Sequence, residues 1–320
     1  MHTQEIITTL SLGRHHCSSL ANTDNHQTKN MHKAGFVNII GYPNVGKSTL
    51  MNILLGERLS IITPKAQTTR HRILGIANGD DYQMVFSDTP GILDPHYKLQ
   101  EQMMQFVLGA LEDADIFIVL ADIEGEFVNK DILNRIERSG VPVMVLINKI
   151  DLAQDDEVIR TRQKWENAYP EWSVIPVSAL KGYNVDVVLH KILELLPEGP
   201  PYFPKDEITD KPVRFFVAES IREKILVLYK QEIPYSVEVV VDEYKEEENI
   251  IRIRSTIHVA RESQKGIIIG HQGKALKKVG TEARKDIEAF VGKKVFLELH
   301  VKVNKNWRED ETKLRRFGYR

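Results

Sequence analysis

Four short motifs hold most of the chemistry this sequence can do, and their order is as informative as their content. The first is Gly41-Tyr-Pro-Asn-Val-Gly46-Lys47-Ser48. Its glycines allow backbone N–H groups to wrap phosphate oxygens at a helix N-terminus. Lys47 would reach the β- and γ-phosphates of a nucleoside triphosphate, and the Ser48 hydroxyl would bind Mg²⁺. Asn44, Val45 and Thr49 complete this candidate loop. Asp88-Thr89-Pro90-Gly91 follows. Asp88 can hold Mg²⁺ through water, and the Gly91 N–H can sense a γ-phosphate. Asp-x-x-Gly alone is expected about once in a chain this long, so its meaning comes from its place after a phosphate loop.

The third motif, Asn148-Lys149-Ile150-Asp151, offers a carboxylate that can accept both the N1–H and the 2-amino protons of guanine. Adenine presents an acceptor there and would leave that carboxylate unpaired. Asn148 and Lys149 would brace the loop over the base. The fourth, Ser178-Ala179-Leu180-Lys181, can present a backbone N–H to the guanine O6. A serine that caps a helix is the competing reading.

A different chemistry lies near the C-terminus. Ile267-Ile-Ile-Gly270-His271-Gln272-Gly273-Lys274 places a Gly-x-x-Gly turn between two short helical stretches. Such a turn can clamp single-stranded RNA backbone, with bases in an adjoining apolar groove. Lys274, Lys277 and Lys278 supply positive charge. His271 has no second histidine at ligand spacing and reads as a loop residue. The tail Asn306-Trp307-Arg308, followed by Lys313, Arg315 and Arg316, has two readings. It stacks on RNA, or the tryptophan anchors a terminal helix to the core.

These motifs need a scaffold, and the apolar pattern supplies one. Runs at Phe36–Ile40, Met84–Ser87, Ile116–Ala121, Val143–Ile147 and Val174–Val177 read as buried strands. Helix-length amphipathic stretches lie near 47–56, 98–111, 128–139, 156–168 and 184–195. The alternation predicts an α/β fold, a mainly parallel sheet with helices on both faces. Leu196-Pro-Glu-Gly-Pro-Pro-Tyr-Phe-Pro204 breaks any helix and marks a linker. Beyond it, a helix over 212–231, strands at Ser236–Tyr244 and Ile250–Val259, a helix–turn–helix over 261–291 and a strand at Lys294–Val303 give an α-β-β-α-α-β unit.

The 320 residues suit two domains, and 42% hydrophobic with 28% charged residues is ordinary for a globular chain. No apolar run approaches the roughly 20 residues of a membrane span. The single Cys17 excludes an internal disulfide framework and any multi-cysteine metal site, which fits a reducing compartment. The net charge of −2 hides an asymmetry: residues 205–320 hold 25 basic and 20 acidic side chains, and 265–320 hold 15 and 7. A basic end on an acidic body suggests a polyanion partner. Residues 1–30 lack a secretory or transit pattern and read as a disordered extension or an overlong start.

The four motifs, Thr68-Thr69-Arg70 and the C-terminal unit together resemble the Era GTPase family over roughly residues 33–320. The resemblance implies a P-loop, Ras-like G domain over 33–200, a linker at 201–208 and an α+β type II KH RNA-binding domain over 209–320. It places the Mg²⁺-binding threonine of switch I at Thr69, with Thr68 as the fallback. It implies a monomeric GTPase that cycles between GTP and GDP. Its RNA target would be the 3′-end region of small-subunit (16S) ribosomal RNA, and its task the maturation of the pre-small ribosomal subunit. A cytoplasmic location with peripheral membrane association comes from the same source.

Where Ras-type enzymes carry a water-orienting glutamine, this chain has Ile92. A hydrocarbon cannot position water, so hydrolysis needs another device and is expected to be slow unaided. Asn44 occupies the place where some relatives in the superfamily hold K⁺; bracing of the switches is its alternative role. Two other functional readings are an RNA-binding scaffold with GTP as a structural ligand and a tRNA-modification-type GTPase. The single phosphate loop and the lack of a C-terminal cysteine disfavour the second.

Overall fold

The computed structural model describes residues 31–123 and 129–319. The expected N-terminal extension, with Cys17, lies outside the described residues up to position 30. His32 is already seated, its Nδ1 2.9 Å from the Gly199 carbonyl.

From β1 (Lys33–Gly41) the chain passes through α1 (Lys47–Leu55), β2 (Ile73–Asn78), β3 (Tyr82–Asp88) and α2 (Lys98–Ala110). It continues through β4 (Ile116–Asp122), α3 (Lys130–Ser139), β5 (Val143–Asn148), α4 (Asp155–Ala168), β6 (Ser173–Pro176) and α5 (Val185–Leu195). The strands form one sheet in the order β2-β3-β1-β4-β5-β6. Every pairing is parallel except β2 with β3. β4 and β5 are apolar almost throughout because helices cover both faces of the sheet, each over its own core. The phosphate loop, Asp88, Asn148 and Ser178 lie at or just beyond the C-terminal ends of β1, β3, β5 and β6, where open α/β sheets bind their ligands.

The strand pattern of the sequence missed β2. Its six residues are interrupted by Gly75, where an added Cβ would lie 2.3 Å from the Leu55 side chain. A glycine forced by close packing breaks the alternation that identifies a strand.

The second domain consists of α6 (Val213–Leu228), β7 (Val237–Glu246), β8 (Ile251–Val259), α7 (Glu262–Ile269), α8 (Lys274–Val291) and β9 (Val295–Val303). Its sheet runs β7-β8-β9, with β7 antiparallel and β9 parallel to β8. α6 and α8 pack on one face of the sheet, and their apolar residues close the core with those of β7 and β8.

The linker differs from expectation. Instead of a free connection, residues 202–210 lie along the first sheet. Tyr202 and Phe203 pack edge-on against Phe36, at 4.9 and 6.5 Å between centroids. The Gln83 amide accepts from both of their backbone N–H groups and donates to the Phe203 carbonyl. Further on, the Ile76 N–H bonds the Ile208 carbonyl and the Leu74 N–H bonds Asp210. These contacts extend the first domain's hold on the chain past the expected boundary at 200.

The tail closes the molecule. A short helix, α9 (Glu311–Arg316), carries Leu314 against Leu99 and Met103 of α2, together with Trp307 and Tyr319. Trp307 is fully buried, and its Nε1 donates to the Ser236 carbonyl at 3.2 Å. That geometry removes it as an RNA-stacking residue and makes it an anchor. Trp307→Ala should therefore cost about 3–5 kcal/mol of stability, read as a lower denaturant midpoint. RNA affinity under folding conditions should stay unchanged.

Candidate functional site

All four motifs meet around one cleft of about 340 Å³, the size of a small-ligand pocket. Asn44, Gly46, Lys47, Ser48 and Thr49 form one wall; Asn148, Lys149 and Asp151 form another. Thr68, Thr69, Gln67 and residues 61–65 of switch I also line it, and Gly91 borders it. Gly46 takes φ 103°, and a Cβ there would lie 2.3 Å from the Asn148 amide nitrogen. Only glycine satisfies both the left-handed backbone and that crossing. Gly91 is pressed against Pro43, where a Cβ would come within 2.6 Å, so the Asp88–Gly91 motif touches the phosphate loop through bare backbone.

Lys47 is buried, and its ammonium donates to the Gly41 and Tyr42 carbonyls at 3.0 and 2.8 Å. Burial pulls its pKa down to about 8, with the Asp88 carboxylate opposing the fall. Burial likewise raises the Asp88 carboxyl, against the pull of Lys47. The Ser48 hydroxyl donates to Asp88 Oδ2 at 2.7 Å and lies 2.9 Å from Thr69 Oγ1, which is itself 3.3 Å from Asp88. Asp88 Oδ1 is buried with no hydrogen-bond partner among the described residues. Three converging hard oxygens with an unsatisfied carboxylate atom fit Mg²⁺, which prefers one or two protein oxygens plus phosphates. Thr68 faces elsewhere: its hydroxyl donates to the Lys65 carbonyl at 2.6 Å and meets Thr63 at 2.7 Å. Geometry thus favours Thr69 over its neighbour.

At the opposite end, Asn148 bridges two loops. Its amide donates to the Val45 carbonyl at 2.7 Å and accepts from the Ala179 N–H at 2.9 Å. Lys149 adopts φ 65° and pairs with Asp122 at 3.0 Å. The Ser178 hydroxyl donates to Asp151 Oδ1 at 2.6 Å and accepts from the Lys181 N–H at 3.2 Å. Ser178 therefore closes its own turn and also orients the carboxylate expected to read the base.

Some expected residues work through backbone or support alone. Val45 and Ala179 are buried, and the Thr89 hydroxyl is committed to the Ile39 carbonyl at 2.9 Å. Ile92 is buried among Ile40, Val107 and Val119, while its N–H bonds the Gly41 carbonyl. Its side chain points into the core rather than the cleft. Asn44 is exposed at φ 64° and makes no hydrogen bond among the described residues, so nothing supports the bracing role.

Two supports escaped the motif reading. Asn52, on the buried face of α1, accepts from the Leu59 and Ser60 N–H groups and donates to the Ser60 carbonyl. It clamps the start of switch I. Gln67 accepts from the Tyr97 hydroxyl at 2.9 Å, joining switch I to the start of α2. An asparagine at a core-facing helical position was the available signal for the first. The second has none in the sequence.

The other candidate site lies between α7 and α8. Gly270, Gln272 and Gly273 all take positive φ, and His271, Gln272, Lys274, Lys277 and Lys278 are exposed. A groove beside the turn is lined by Gly273, Leu276, Lys277, Gly280, Thr281, Arg284, Leu297 and Leu299. Its apolar floor and basic rim suit stacked bases and phosphates. Thr281, Arg284 and the β9 leucines were not singled out because they converge only when α8 packs on β9.

Comparison with known proteins finds relatives for both domains. Residues 36–149 match the family model of the 50S ribosome-binding GTPases, and residues 232–308 match that of KH domains. The chain is 47% identical to GTPase Era of Syntrophus aciditrophicus over 294 residues, covering 90% of this chain and 96% of that one. GTPase Era of Geotalea daltonii is 44% identical, over 91% and 99% of the two chains. A crystal structure of an Aquifex aeolicus Era variant bound to GDP·AlF₄⁻ aligns with a TM-score of 0.86 at 43% identity, over 90% of this chain and 99% of its own. A structure of Era in complex with MgGDPNP and nucleotides 1506–1542 of 16S ribosomal RNA aligns equally well, with the same identity and coverage.

The base-reading geometry has a direct test. Asp151→Asn should weaken GTP binding on the order of 10²-fold or more and relax the rejection of xanthine nucleotides, because an amide can donate to their 2-oxo group. Competition among GTP, XTP and ATP measures both effects. ATP competing as well as GTP in the unmutated protein would remove the guanine assignment.

Proposed function

The chain belongs to the Era family of GTPases, and we propose that it couples GTP hydrolysis to binding of the 3′-end region of small-subunit (16S) ribosomal RNA during maturation of the pre-small ribosomal subunit. One observation carries this reading: the structure that aligns over 90% of the chain at 43% identity holds both MgGDPNP and that RNA segment. The exposed Gly270–Gly273 turn and its basic rim supply matching chemistry in this chain. Membership over nearly the whole length speaks against a pure scaffold or a tRNA-modification relative.

In this reading the phosphate loop cradles the triphosphate, and Lys47 neutralises its β- and γ-oxygens. Ser48 and Thr69 would hold Mg²⁺ with Asp88 behind them, and the ion would offset charge on the phosphates. Asp151 selects guanine while Asn148 ties the phosphate loop to the Ser178–Lys181 turn beside the base. Hydrolysis requires water to attack the γ-phosphorus as the bond to the GDP oxygen breaks. Ile92 gives that water no partner; Asn44 would hold K⁺, whose charge would offset that developing on the phosphates. The working form is a monomer in the cytoplasm, and attachment to the inner face of the membrane rests on resemblance alone. Among the described residues, no helix is long and apolar enough to cross a membrane.

Replacing His271 and Gln272 with Asp should lower affinity for a 16S 3′-end oligonucleotide by about tenfold or more, most strongly at low salt, while leaving GTP affinity intact. Titrations at several salt concentrations decide this, and unchanged RNA binding would place the RNA site elsewhere. For the ion, hydrolysis should run faster in KCl than in NaCl at equal ionic strength. Asn44→Ala should erase most of that difference without loss of GTP affinity, whereas equal rates in the two salts would retire the K⁺ assignment.

A further inference from the structure

Thr69 is the switch residue whose hydroxyl reaches Ser48 and Asp88, and its two sequence neighbours are both held by the second domain. On one side, the Thr68 carbonyl accepts from Arg222 Nη2 of α6. On the other, the Arg70 guanidinium is entirely buried. It donates to the Val237 carbonyl at 2.7 Å, the Pro234 carbonyl at 3.0 Å and Glu238 at 3.2 Å. We propose that Arg222 is a positioning residue of the GTPase site: from the KH domain it fixes the Thr68 carbonyl, and through it the Thr69 hydroxyl at the Mg²⁺ position.

Arg222 is built for that task. It is 1% exposed, and Glu219 one turn earlier grips it through two bonds of 2.7 and 2.5 Å. A planar guanidinium can keep that fork and still present a donor to a carbonyl; an ammonium has no such fixed geometry. The same face of the second domain takes two more points of switch I. Arg58 pairs with Glu223 at 2.5 Å, and the Lys65 ammonium donates to the Tyr229 carbonyl. The segment from Arg58 to Arg70 therefore rests on α6, the turn after it and the start of β7, and the Thr69 hydroxyl is set from behind.

The consequence is thermodynamic. Thr69 adds affinity only for a nucleotide whose γ-phosphate and Mg²⁺ it completes. A residue that places Thr69 must stabilise the triphosphate complex and leave the diphosphate complex nearly untouched. A merely structural contact would weaken both alike. The inference uses the GTPase assignment alone and is independent of the RNA target.

The test compares GDP and GDPNP dissociation constants, with Mg²⁺, for the full chain and two variants. Arg222→Lys keeps a charge beside Glu219 but loses the planar fork that holds Glu219 and the Thr68 carbonyl at once. The double variant Glu219→Gln with Arg222→Gln leaves no unpaired buried charge, so it guards against loss of folding, which thermal melting monitors. GDPNP affinity should fall roughly tenfold or more in both, GDP affinity should move less than about twofold, and the Mg²⁺ concentration for half-maximal GDPNP binding should rise. An unchanged GDP-to-GDPNP ratio in both variants would overturn the proposal, whether the two affinities hold steady or fall together.

Discussion

Everything in the first domain is arranged around one awkward fact: a carboxylate, Asp88, sits with no solvent exposure at the end of β3. A buried charge is tolerable only when paired and hydrogen-bonded, and its partners come from distant parts of the chain. Lys47 and Ser48 begin α1, and Thr69 lies in switch I. The parallel sheet brings them together because β1 and β3 are adjacent, in register from Lys33 with Tyr82 to Ile39 with Asp88. The two strands end side by side, so the phosphate loop and the acid emerge at the same edge. In the proposed function, a ligand bringing phosphate and a divalent ion would complete what Asp88 Oδ1 leaves unsatisfied there.

The motifs that grip a nucleotide were legible because they are local. Gly41 to Ser48 is one continuous stretch of chain, so its pattern shows in the sequence, although the contacts that demand its glycines come from the Leu120 backbone and the Asn148 amide. Strand and helix positions followed for the same reason: buried runs such as β5 announce themselves. The choice between Thr68 and Thr69 was not legible, since both are hydroxyl-bearing neighbours and only the fold turns one toward Ser48. Trp307 was equally ambiguous, because an aromatic among basic residues reads the same whether it faces RNA or the Ser236 carbonyl. The role of Arg222 could not be read at all. It sits 154 residues from the carbonyl it holds, in a helix whose spacing says only that it packs.

The junction between the domains shows the same dependence on tertiary structure. His71 stacks on Tyr319 at 4.3 Å, and the Tyr319 hydroxyl reaches Glu238, which also pairs with Arg70. One aromatic contact, one hydrogen bond and one ion pair thus join the end of switch I, a KH strand and the last residues described. Burial drives the His71 pKa down to about 4, against the pull of Glu219, so the ring is neutral at physiological pH and packs as an aromatic.

The segment after α5 has an effect beyond joining two domains. β2 is the outermost strand of the first sheet and would otherwise present its free amides to solvent. Residues 207–210 lie along it, with Ile76 bonded to Ile208, Gly75 bridged to Thr209 and Asn78 reaching Glu207. An uncovered strand edge is a template for pairing with another chain, the first step toward aggregation. The stretch that looks like a spacer in the sequence thus covers this edge, and a first domain cut before it would expose the amides of Leu74 and Ile76.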